Sequence, residues 1–441
     1  MDKTFQFSGY EADLINREIK FFYKIIGPEE TLSFLEKILL PELEIDQIPE
    51  VLRDNILTSL HLVLGISYWK LYCPDKIDIG GISLTKDQAD FWNKVYIKGL
   101  GEFFFRNKID FRNFNLFKAN SEKSNSTSFS RKDRALVPIG GGKDSIVSAE
   151  LLKRGNVDFD TFTLGESLIQ NEINRILDKK NIVIKRIIDP QLFELNKRED
   201  TYNGHIPISS IYNFTALLAA VLYDFSYVVF SNEKSANYGN VEYLGVQINH
   251  QWSKSFEFEE LFSNYVKSYI TDSIVPFSLL RSYNEIEIVK QFIQYPAYFP
   301  VFSSCNRNFK INDAQTDVLW CGKCAKCLFI FVTLVAFLPK EEVVGIFNKN
   351  LFENRDLIPQ YEELLGIKEH KPFDCVGTPD EVRLAFLLAY QKHAYDNTPI
   401  MEMFIDKFKD QFIDIEKTKE DLLSGSGKNN IPNKFENIIK I

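Results

Sequence analysis

Hydrophobic and polar residues alternate in two neighbouring runs near the start of the chain, I-K-F-F-Y-K-I-I and L-S-F-L-E-K-I-L-L. Strict alternation is typical of strands with one buried face, and residues 27–30, G-P-E-E, separate the two runs. The pattern predicts a β-hairpin, although the second run also fits a helix. Helical periodicity follows over residues 55–72 and 87–105. These elements together predict an N-terminal α+β domain over residues 1–120.

From residue 135 onward, short apolar runs alternate with helical patterns. Continuous apolar runs are typical of strands buried on both faces, and alternation of strands with helices is typical of a parallel sheet covered on both sides. This part of the chain therefore predicts an α/β fold with a Rossmann-like parallel sheet. The predicted strands cover residues 135–139, 159–164, 182–188 and 227–231, and the predicted helices cover residues 166–179 and 211–223.

The pattern after residue 327 is mostly helical as far as residue 412. Its longest apolar run, residues 328–338, is too short to span a bilayer and predicts a buried helix. A chain of 441 residues also exceeds one typical domain. The predicted divisions are an N-terminal domain at 1–120, a serine-rich polar linker at 121–134, a nucleotide-binding α/β domain at 135–335, a helical region at 336–412 and a loose tail at 413–441.

Composition narrows the class of protein. The chain is 45% hydrophobic and 26% charged, which is ordinary for a globular protein in water. Its net charge of −9 speaks against a broad nucleic-acid surface. The first residues contain no apolar segment of the signal-peptide type, and six cysteines in so long a chain do not form a disulfide framework. We therefore expect a cytoplasmic protein that binds neither membrane nor nucleic acid.

Three consecutive glycines follow the first predicted strand of the sheet, in A-L-V-P-I-G-G-G-K-D-S. A glycine turn between a strand and a helix exposes backbone N–H groups at the positive end of the helix, which suits a phosphate. The turn matches neither the dinucleotide fingerprint nor the Walker A spacing. Its pattern resembles the S-G-G-x-D-S loop of the N-type ATP pyrophosphatases, with glycine at the first position. The competing interpretation is a tight turn in which the aspartate caps the helix.

The residues of this turn have distinct chemical roles in the ATP interpretation. The glycines let the backbone approach the leaving pyrophosphate, the lysine neutralises charge, and the serine donates a hydrogen bond. Asp144 would repel phosphate unless a cation lay between them, so it implies Mg²⁺. The predicted ATP-binding residues are Gly140, Gly141, Gly142, Lys143, Asp144 and Ser145.

Four of the six cysteines are close in sequence. Cys321, Cys324 and Cys327 form a C-x-x-C-x-x-C pattern, and Cys305 lies upstream. Four thiolates in this arrangement suit a tetrahedral structural zinc ion, since they leave no open position for catalysis. An iron–sulfur cluster could use the same ligands, and four plain buried thiols are the third possibility. The other two cysteines, at positions 73 and 375, are expected to be buried small side chains.

Polar clusters follow or precede the later predicted strands, at residues 203–207, 231–240 and 249–259. Ligands of an open α/β sheet bind at the carboxyl ends of its strands, so these clusters predict a substrate pocket. Solvated loops and helix caps are the alternative interpretation. Two of the five histidines, His205 and His250, lie in these clusters. The remaining three, at positions 61, 370 and 393, are expected to be structural.

Several stretches occur in an order that is more specific than the glycine turn. They are L-H-L-V-L-G-I-S-Y-W-K, G-L-G-E-F-F-F-R-N, V-P-I-G-G-G-K-D-S, N-G-H-I-P, S-N-E-K-S-A-N, N-H-Q-W-S-K-S-F-E-F-E, S-S-C-N-R-N-F, W-C-G-K-C-A-K-C and P-F-D-C-V-G-T. In this set the chain resembles the MurL family, the UDP-N-acetylmuramoyl-L-alanyl-L-glutamate epimerases, over about residues 1–410.

The resemblance implies an ATP- and Mg²⁺-dependent inversion of the terminal glutamate of a peptidoglycan precursor, with release of AMP and pyrophosphate. Proton removal and return would then require acid–base groups near the strand ends. The candidate acid–base residues are His205, Glu233, Lys234, His250 and Lys254.

Three other functions remain open from the sequence. A tRNA thiolase or modified-base synthase shares the pyrophosphate loop and a cysteine cluster, but the acidic net charge speaks against it. An amide ligase would use the same adenylation and trap the product with an amine. A non-catalytic nucleotide-binding scaffold would not need the complete loop.

Overall fold

The computed structural model of the chain describes residues 3–43, 48–123, 126–309, 318–368 and 370–439. Ser124 and Asn125 of the predicted linker and the last two residues of the predicted tail, Lys440 and Ile441, lie outside the described residues.

Eleven strands are present in the described residues, and nine of them form one mixed sheet with the order β11-β8-β5-β6-β7-β3-β2-β1-β4. Strands β9 and β10 form a separate hairpin. The strands are β1 Thr4–Asp13, β2 Glu18–Ile26, β3 Thr31–Leu39, β4 Lys76–Asp78, β5 Ala135–Pro138, β6 Phe159–Leu164, β7 Asn181–Ile187, β8 Tyr227–Phe230, β9 Val241–Tyr243, β10 Val246–Ile248 and β11 Val275–Ser278.

The helices cover both faces of the sheet and form most of the C-terminal region. No helix in the described ranges is both long enough and apolar enough to cross a bilayer. The α-helices are α1 Glu50–Leu64, α2 Ile66–Trp69, α3 Lys86–Gly99, α4 Gly101–Asn107, α5 Lys143–Arg154, α6 Leu168–Leu177, α7 Gln191–Leu195, α8 Ile208–Leu222, α9 Phe256–Tyr269, α10 Glu285–Phe292, α11 Ala325–Phe337, α12 Lys340–Phe347, α13 Ile358–Leu364, α14 Pro379–Tyr390, α15 Pro399–Phe408, α16 Phe412–Lys417, α17 Lys419–Leu422 and α18 Asn433–Ile439.

The predicted Rossmann-like parallel sheet is confirmed. Strands β11, β8, β5, β6 and β7 pair in parallel. The bounds of β5, β6, β7 and β8 agree with the predicted ones to within about one residue, whereas β11 was not predicted. The chain passes from β5 outward to β6 and β7 and then returns to place β8 on the other side of β5. The strand order therefore reverses between β5 and β8, and ligands of such sheets bind outside the strand ends at this point.

The predicted N-terminal hairpin is also confirmed, with β2 and β3 antiparallel over their whole length. Every second residue of both strands faces the core, as the alternation requires. Strand β1 was not predicted, because its burial alternates only as far as Phe7 and the strand is irregular between Phe7 and Tyr10. Strand β3 pairs antiparallel with β7. Strands from the two predicted domains on either side of the linker therefore belong to one sheet.

The C-terminal helices surround the apolar helix α11, whose buried residues include the whole predicted run as far as Ala336. Residues 433–439, predicted as part of a loose tail, form helix α18. Phe435 of this helix is fully buried against the rings of Tyr227 and Phe277. Ile438 and Ile439 pack against the same core, so apolar contacts of three residues hold the helix on the sheet.

A buried ion pair joins the two halves of the sheet. Glu36 on β3 is fully buried and accepts hydrogen bonds from the guanidinium of Arg186 on β7, at 2.6 and 3.2 Å. Ser67 accepts a further hydrogen bond from Arg186 at 2.8 Å. Removal of one partner leaves the other charge buried without compensation.

We expect Glu36→Ala to lower the free energy of unfolding by about 3–5 kcal/mol, because Arg186 loses its carboxylate in a buried setting. Urea unfolding followed by circular dichroism measures the loss. The matched control is Glu194→Ala, whose pair with Lys197 is exposed and should change stability by less than about 1 kcal/mol. Equal small losses in the two variants would contradict the assigned role of Glu36.

Candidate functional site

The glycine turn lies between β5 and α5, at the point where the strand order reverses. Gly141 has a φ of +101°, which a residue with a side chain rarely adopts. Gly142 is the N-cap of α5, and no side chain caps this helix. Asp144 lies in the first turn of the helix instead of at its cap, so the capping interpretation of the aspartate is wrong. The first N–H groups of α5 are therefore not used by a side-chain cap.

Loop residues that follow α10 lie against this turn. The backbone N–H of Ser303 donates to the carbonyl of Gly141 at 3.0 Å, and a Cβ on Gly142 would meet that of Ser304 at 3.5 Å. The hydroxyl of Ser145 donates to the carbonyl of Gly142 at 3.2 Å. These contacts hold the turn in one conformation before any ligand arrives.

Three carboxylates gather at the N-terminus of α5. Oxygen atoms of Asp144, Glu233 and Glu285 lie within 4.8 Å of one another, and carboxylates of this kind are ligands that Mg²⁺ prefers. The buried ammonium of Lys143 forms ion pairs with Asp144 and Glu285. Burial raises the pKa of Glu233 and that of Glu285, with the neighbouring carboxylates adding to the effect. A divalent cation would relieve this repulsion, so the donor set fits magnesium.

Arg281 fixes the two loops that carry Glu233 and Lys254. Its guanidinium is almost fully buried and donates to the backbone carbonyl of Glu233 at 2.7 Å and to that of Lys254 at 2.8 Å. The carboxylate of Glu259 on α9 compensates its charge at 2.7 and 2.9 Å. Both hydrogen bonds go to the same oxygen, Oε2, and hydrogen bonds between charged groups are stronger than those between neutral ones. Both loops are thereby held at the carboxyl end of β8.

The two histidines of the polar clusters meet at Glu102 on α4. The Nδ1 atom of His250 lies 2.5 Å from Oε2 of Glu102, and Nδ1 of His205 lies 3.6 Å from the same oxygen. The two imidazole rings are 4.3 Å apart between centroids. The Nε2 atom of His205 is buried and has no hydrogen-bond partner among the described residues. Loops far apart in sequence thus form one acid–base cluster.

The environments of these histidines shift their pKa values in opposite directions. Burial lowers the pKa of His205 to about 3, and the adjacent His250 adds to this effect. Burial alone would also lower the pKa of His250, but the neighbouring thiol of Cys375 and carboxylate of Glu102 outweigh it and raise the value to about 9. Near neutral pH the pair therefore consists of one imidazole and one imidazolium.

The two lysines of the predicted acid–base set, Lys254 and Lys234, lie in different surroundings. The thiolate of Cys375 and the carboxylate of Glu233 both lie near Lys254 and raise its pKa, against the opposing effect of burial. Lys234 extends away from this group, with its side chain next to Gly427 and close enough to Glu287 to affect the pKa of that carboxyl. Four of the five predicted acid–base residues are therefore close to the carboxylates or to Glu102, and Lys234 is not.

The four clustered cysteines come together as the spacing predicts. Their ligand atoms lie within 4.8 Å of one another, and the measured sulfur–sulfur distances are 3.5, 3.7 and 4.0 Å. Zinc–sulfur bonds of about 2.3 Å in a tetrahedron place sulfurs about 3.8 Å apart. An iron–sulfur cluster distributes its thiolates over several irons and needs wider spacing. The geometry fits a single zinc ion better than a cluster.

Sequence reasoning assigned no role to three residues of the site, Glu102, Glu285 and Cys375. Two of them stand in stretches already singled out, G-L-G-E-F-F-F-R-N and P-F-D-C-V-G-T, but only the tertiary contacts show their surroundings. Cys375 was expected to be a buried small side chain. The residue is only partly buried, and its thiol lies close enough to the imidazole of His250 to raise the pKa of that ring. Cys73 is buried, as expected.

Comparison with known proteins finds matches over most of the chain. Residues 1–279 match the family model described as the MurL N-terminal domain, and residues 301–419 match the MurL C-terminal domain. A protein of Xanthomonas oryzae pv. oryzae is 36% identical over 380 residues, which cover 86% of this chain and 84% of that protein. A Micromonospora protein is 35% identical over 97% of this chain and 96% of its own length. A Salinispora tropica protein is 34% identical over 91% and 88%, respectively. All three are named UDP-N-acetyl-alpha-D-muramoyl-L-alanyl-L-glutamate epimerase.

Metal analysis tests the cysteine cluster. We expect purified protein to contain about one zinc ion per chain, and Cys321→Ser to lose the metal and to melt at a lower temperature. Cys73→Ser is the matched control and should keep the metal. Iron in place of zinc, or a Cys321→Ser variant with full metal content, would contradict the assignment.

The Glu102–His250 contact predicts a pH dependence of stability. The folded-state pKa of His250 lies above its ordinary value of 6.5, so the contact stabilises fully below pH 6.5 and loses its effect as the pH rises through about 9. Glu102→Gln should lower the pKa of His250, as measured by NMR titration, and should destabilise the protein more at pH 6.5 than above pH 9. The exposed Glu194→Gln is the control. A His250 pKa that is unchanged in Glu102→Gln would contradict the role of this contact.

Proposed function

The chain belongs to the MurL family, and on that premise we propose that it inverts the terminal L-glutamate of UDP-N-acetylmuramoyl-L-alanyl-L-glutamate to D-glutamate, at the expense of ATP. The substrate carboxylate attacks the α-phosphorus of ATP and releases pyrophosphate, which leaves an acyl adenylate. The α-proton is then removed from one face and returned on the other. Water finally cleaves the mixed anhydride to give AMP and the D-glutamyl product.

Activation by ATP would make the α-hydrogen of the substrate more acidic. An α-hydrogen next to an ionised carboxylate is very weakly acidic, because its removal adds a second negative charge to the same group. Adenylation replaces the carboxylate charge by an anhydride that can accept the electron pair of the broken C–H bond. The reaction therefore needs a nucleotide site and proton-transfer groups within reach of one carbon atom.

The observation that carries the proposal is that both kinds of group share one site. The phosphate-binding turn contributes Asp144, whose carboxylate is within 4.8 Å of Glu233, and Glu233 in turn is close enough to Lys254 for the two charges to interact. A nucleotide phosphate bound at the N-terminus of α5 would thus lie next to candidate acid–base residues. A scaffold that only binds nucleotide has no need for these buried titratable groups.

Each residue of the turn has a role in the proposed adenylation. Gly140, Gly141 and Gly142 bring backbone N–H groups to the pyrophosphate, and Ser145 donates its hydroxyl. Lys143 balances phosphate charge. Magnesium would be held by Asp144, with Glu233 and Glu285 next to it, and it supplies charge neutralisation during departure of pyrophosphate.

The acid–base groups of the proposed inversion are drawn from Glu233, Lys254, His205 and His250. Burial raises the pKa of Glu233, and the two histidines are in opposite protonation states. Lys234 is outside this cluster, so we assign it no proton transfer in the proposed inversion. The cysteine cluster is proposed to hold structural zinc, and the nucleotide-linked substrate places the proposed reaction in the cytoplasm.

A pyrophosphate-release assay tests the function. Purified protein should release pyrophosphate from ATP with UDP-N-acetylmuramoyl-L-alanyl-L-glutamate, and should incorporate deuterium at the glutamate α-carbon in D₂O. Asp144→Asn should lower both rates by at least about 10²-fold, because it removes the carboxylate proposed to hold magnesium.

The matched control is Asp414→Asn, an exposed carboxylate on α16 that should leave both rates unchanged. Parallel reactions with tRNA, and with ammonia plus substrate, separate the rival activities. Epimerisation at full rate without ATP, or pyrophosphate release only with tRNA or an amine acceptor, would overturn the proposed function.

A further inference from the structure

A cysteine that the proposed function does not use lies beside the candidate site. Cys375 belongs to the segment that leads into α14, and its thiol is close enough to the imidazole of His250 to raise the pKa of that ring. The carbonyl of the next residue, Val376, accepts a hydrogen bond from the side-chain amide of Gln251 at 3.5 Å, so the segment lies against the His250 loop. The charge of Lys254 also acts on it. No step of the proposed epimerisation described so far uses this thiol.

Polar contacts hold the segment on both sides of Cys375. The side-chain amide of Asn240 donates to the carbonyl of Pro372 at 2.8 Å, while its oxygen accepts from the N–H of His250 at 2.8 Å. Asn306 donates to the carboxylate of Asp374 at 2.7 Å. The thiol is thereby fixed relative to the His250 loop, which is what a group in proton transfer requires.

Residues that follow Cys375 in the chain contact the start of α10, which carries Glu285 of the carboxylate cluster. Thr378 and Glu381 form a capping box at the start of α14, and Glu381 also accepts from the N–H of Ile286 at 3.1 Å. Ile286 follows Glu285 at the start of α10. The thiol, the histidines and the carboxylates thus belong to one connected framework.

A buried cation beside the thiol indicates where an anionic ligand binds. The side chain of Lys371 is 5% exposed, and among the described residues its Nζ has no hydrogen-bond partner. The charge of Glu381 acts on it most strongly, followed by those of Cys375, Glu285 and Glu233, so Lys371 lies near the same site. Its Nζ also lies 5.6 Å from the centre of the Tyr238 ring, but a buried ammonium without a hydrogen bond is costly, and an anionic substrate group would supply that bond.

We propose that Cys375 is a proton-transfer residue of the epimerisation, with its Sγ exchanging a proton with the substrate α-carbon while Lys371 binds an anionic group of the same substrate. This inference rests on the proposed function. In one direction an S–H bond forms as the α C–H bond breaks, and the electron pair passes into the acyl-adenylate carbonyl. A protonated group on the opposite face then forms the new C–H bond.

The proton balance closes without a further reactant. The site begins with a thiolate and a protonated partner and ends with a thiol and a deprotonated partner, for which Lys254 and Glu233 are the neighbouring candidates. Transfer of one proton from the thiol to that partner, through His250 or water, restores the starting state. Burial would raise the pKa of Cys375, but Lys254, Lys326 and His250 outweigh this effect and lower it to about 5, so a thiolate is present at neutral pH.

Variants of the full-length protein test the inference. We expect Cys375→Ala and Cys375→Ser to keep substrate-dependent exchange of pyrophosphate into ATP within about threefold of the unmodified protein, since this exchange reports adenylation alone. Inversion should fall by about 10²- to 10⁴-fold. In D₂O, α-hydrogen exchange should be lost from one epimer of the substrate and kept by the other, because each face has its own group.

The matched control is Cys73→Ser, a buried cysteine that is not part of the carboxylate or histidine clusters and should leave all three rates unchanged. Normal inversion in Cys375→Ala, or loss of pyrophosphate exchange in both Cys375 variants, would overturn this inference alone. Absence of that exchange in the unmodified protein would overturn the proposed function, and this inference with it.

Discussion

Compensation of buried charge is the constraint on which the candidate site depends. Lys143 lies buried between Asp144 and Glu285, and Arg281 lies buried against Glu259 while it holds two backbone carbonyls. Burial of an unpaired charge at such a position would lower the stability of the fold by roughly several kcal/mol, so each charge needs its partner. The partners come from distant parts of the chain, and their pairing therefore fixes how the loops around the glycine turn are arranged.

The residues of the candidate site come from regions that the sequence analysis assigned to different domains. Glu102 comes from a helix of the N-terminal region, His205 and His250 from loops of the parallel sheet, and Cys375 from the segment before α14. Strand β3 also extends the parallel sheet through β7. The N-terminal region is thus part of the framework of the site, because its carboxylate orients the imidazole of His250.

The pKa values of neighbouring groups in the site are shifted in opposite directions. His205 is held neutral by burial, whereas His250 is charged by its contacts with Glu102 and Cys375. Acid and base functions at one pH require groups whose environments move their pKa values apart. The thiolate of Cys375 near the imidazolium of His250 follows the same principle, and the proposed substrate must lose and regain a proton on one carbon.

The amino-acid sequence by itself determined the local elements: the alternating hairpin, the buried strands of the parallel sheet, the apolar helix α11, the glycine turn and the cysteine spacing. Each depends on residues close together in the chain, so a pattern can show it. Only the tertiary structure decided that β1 joins the sheet, that Phe435 anchors the last helix, and that Lys234 leaves the cluster while Glu102, Glu285 and Cys375 enter it. Those outcomes depend on burial and charge pairing between residues distant in sequence, which no local pattern records.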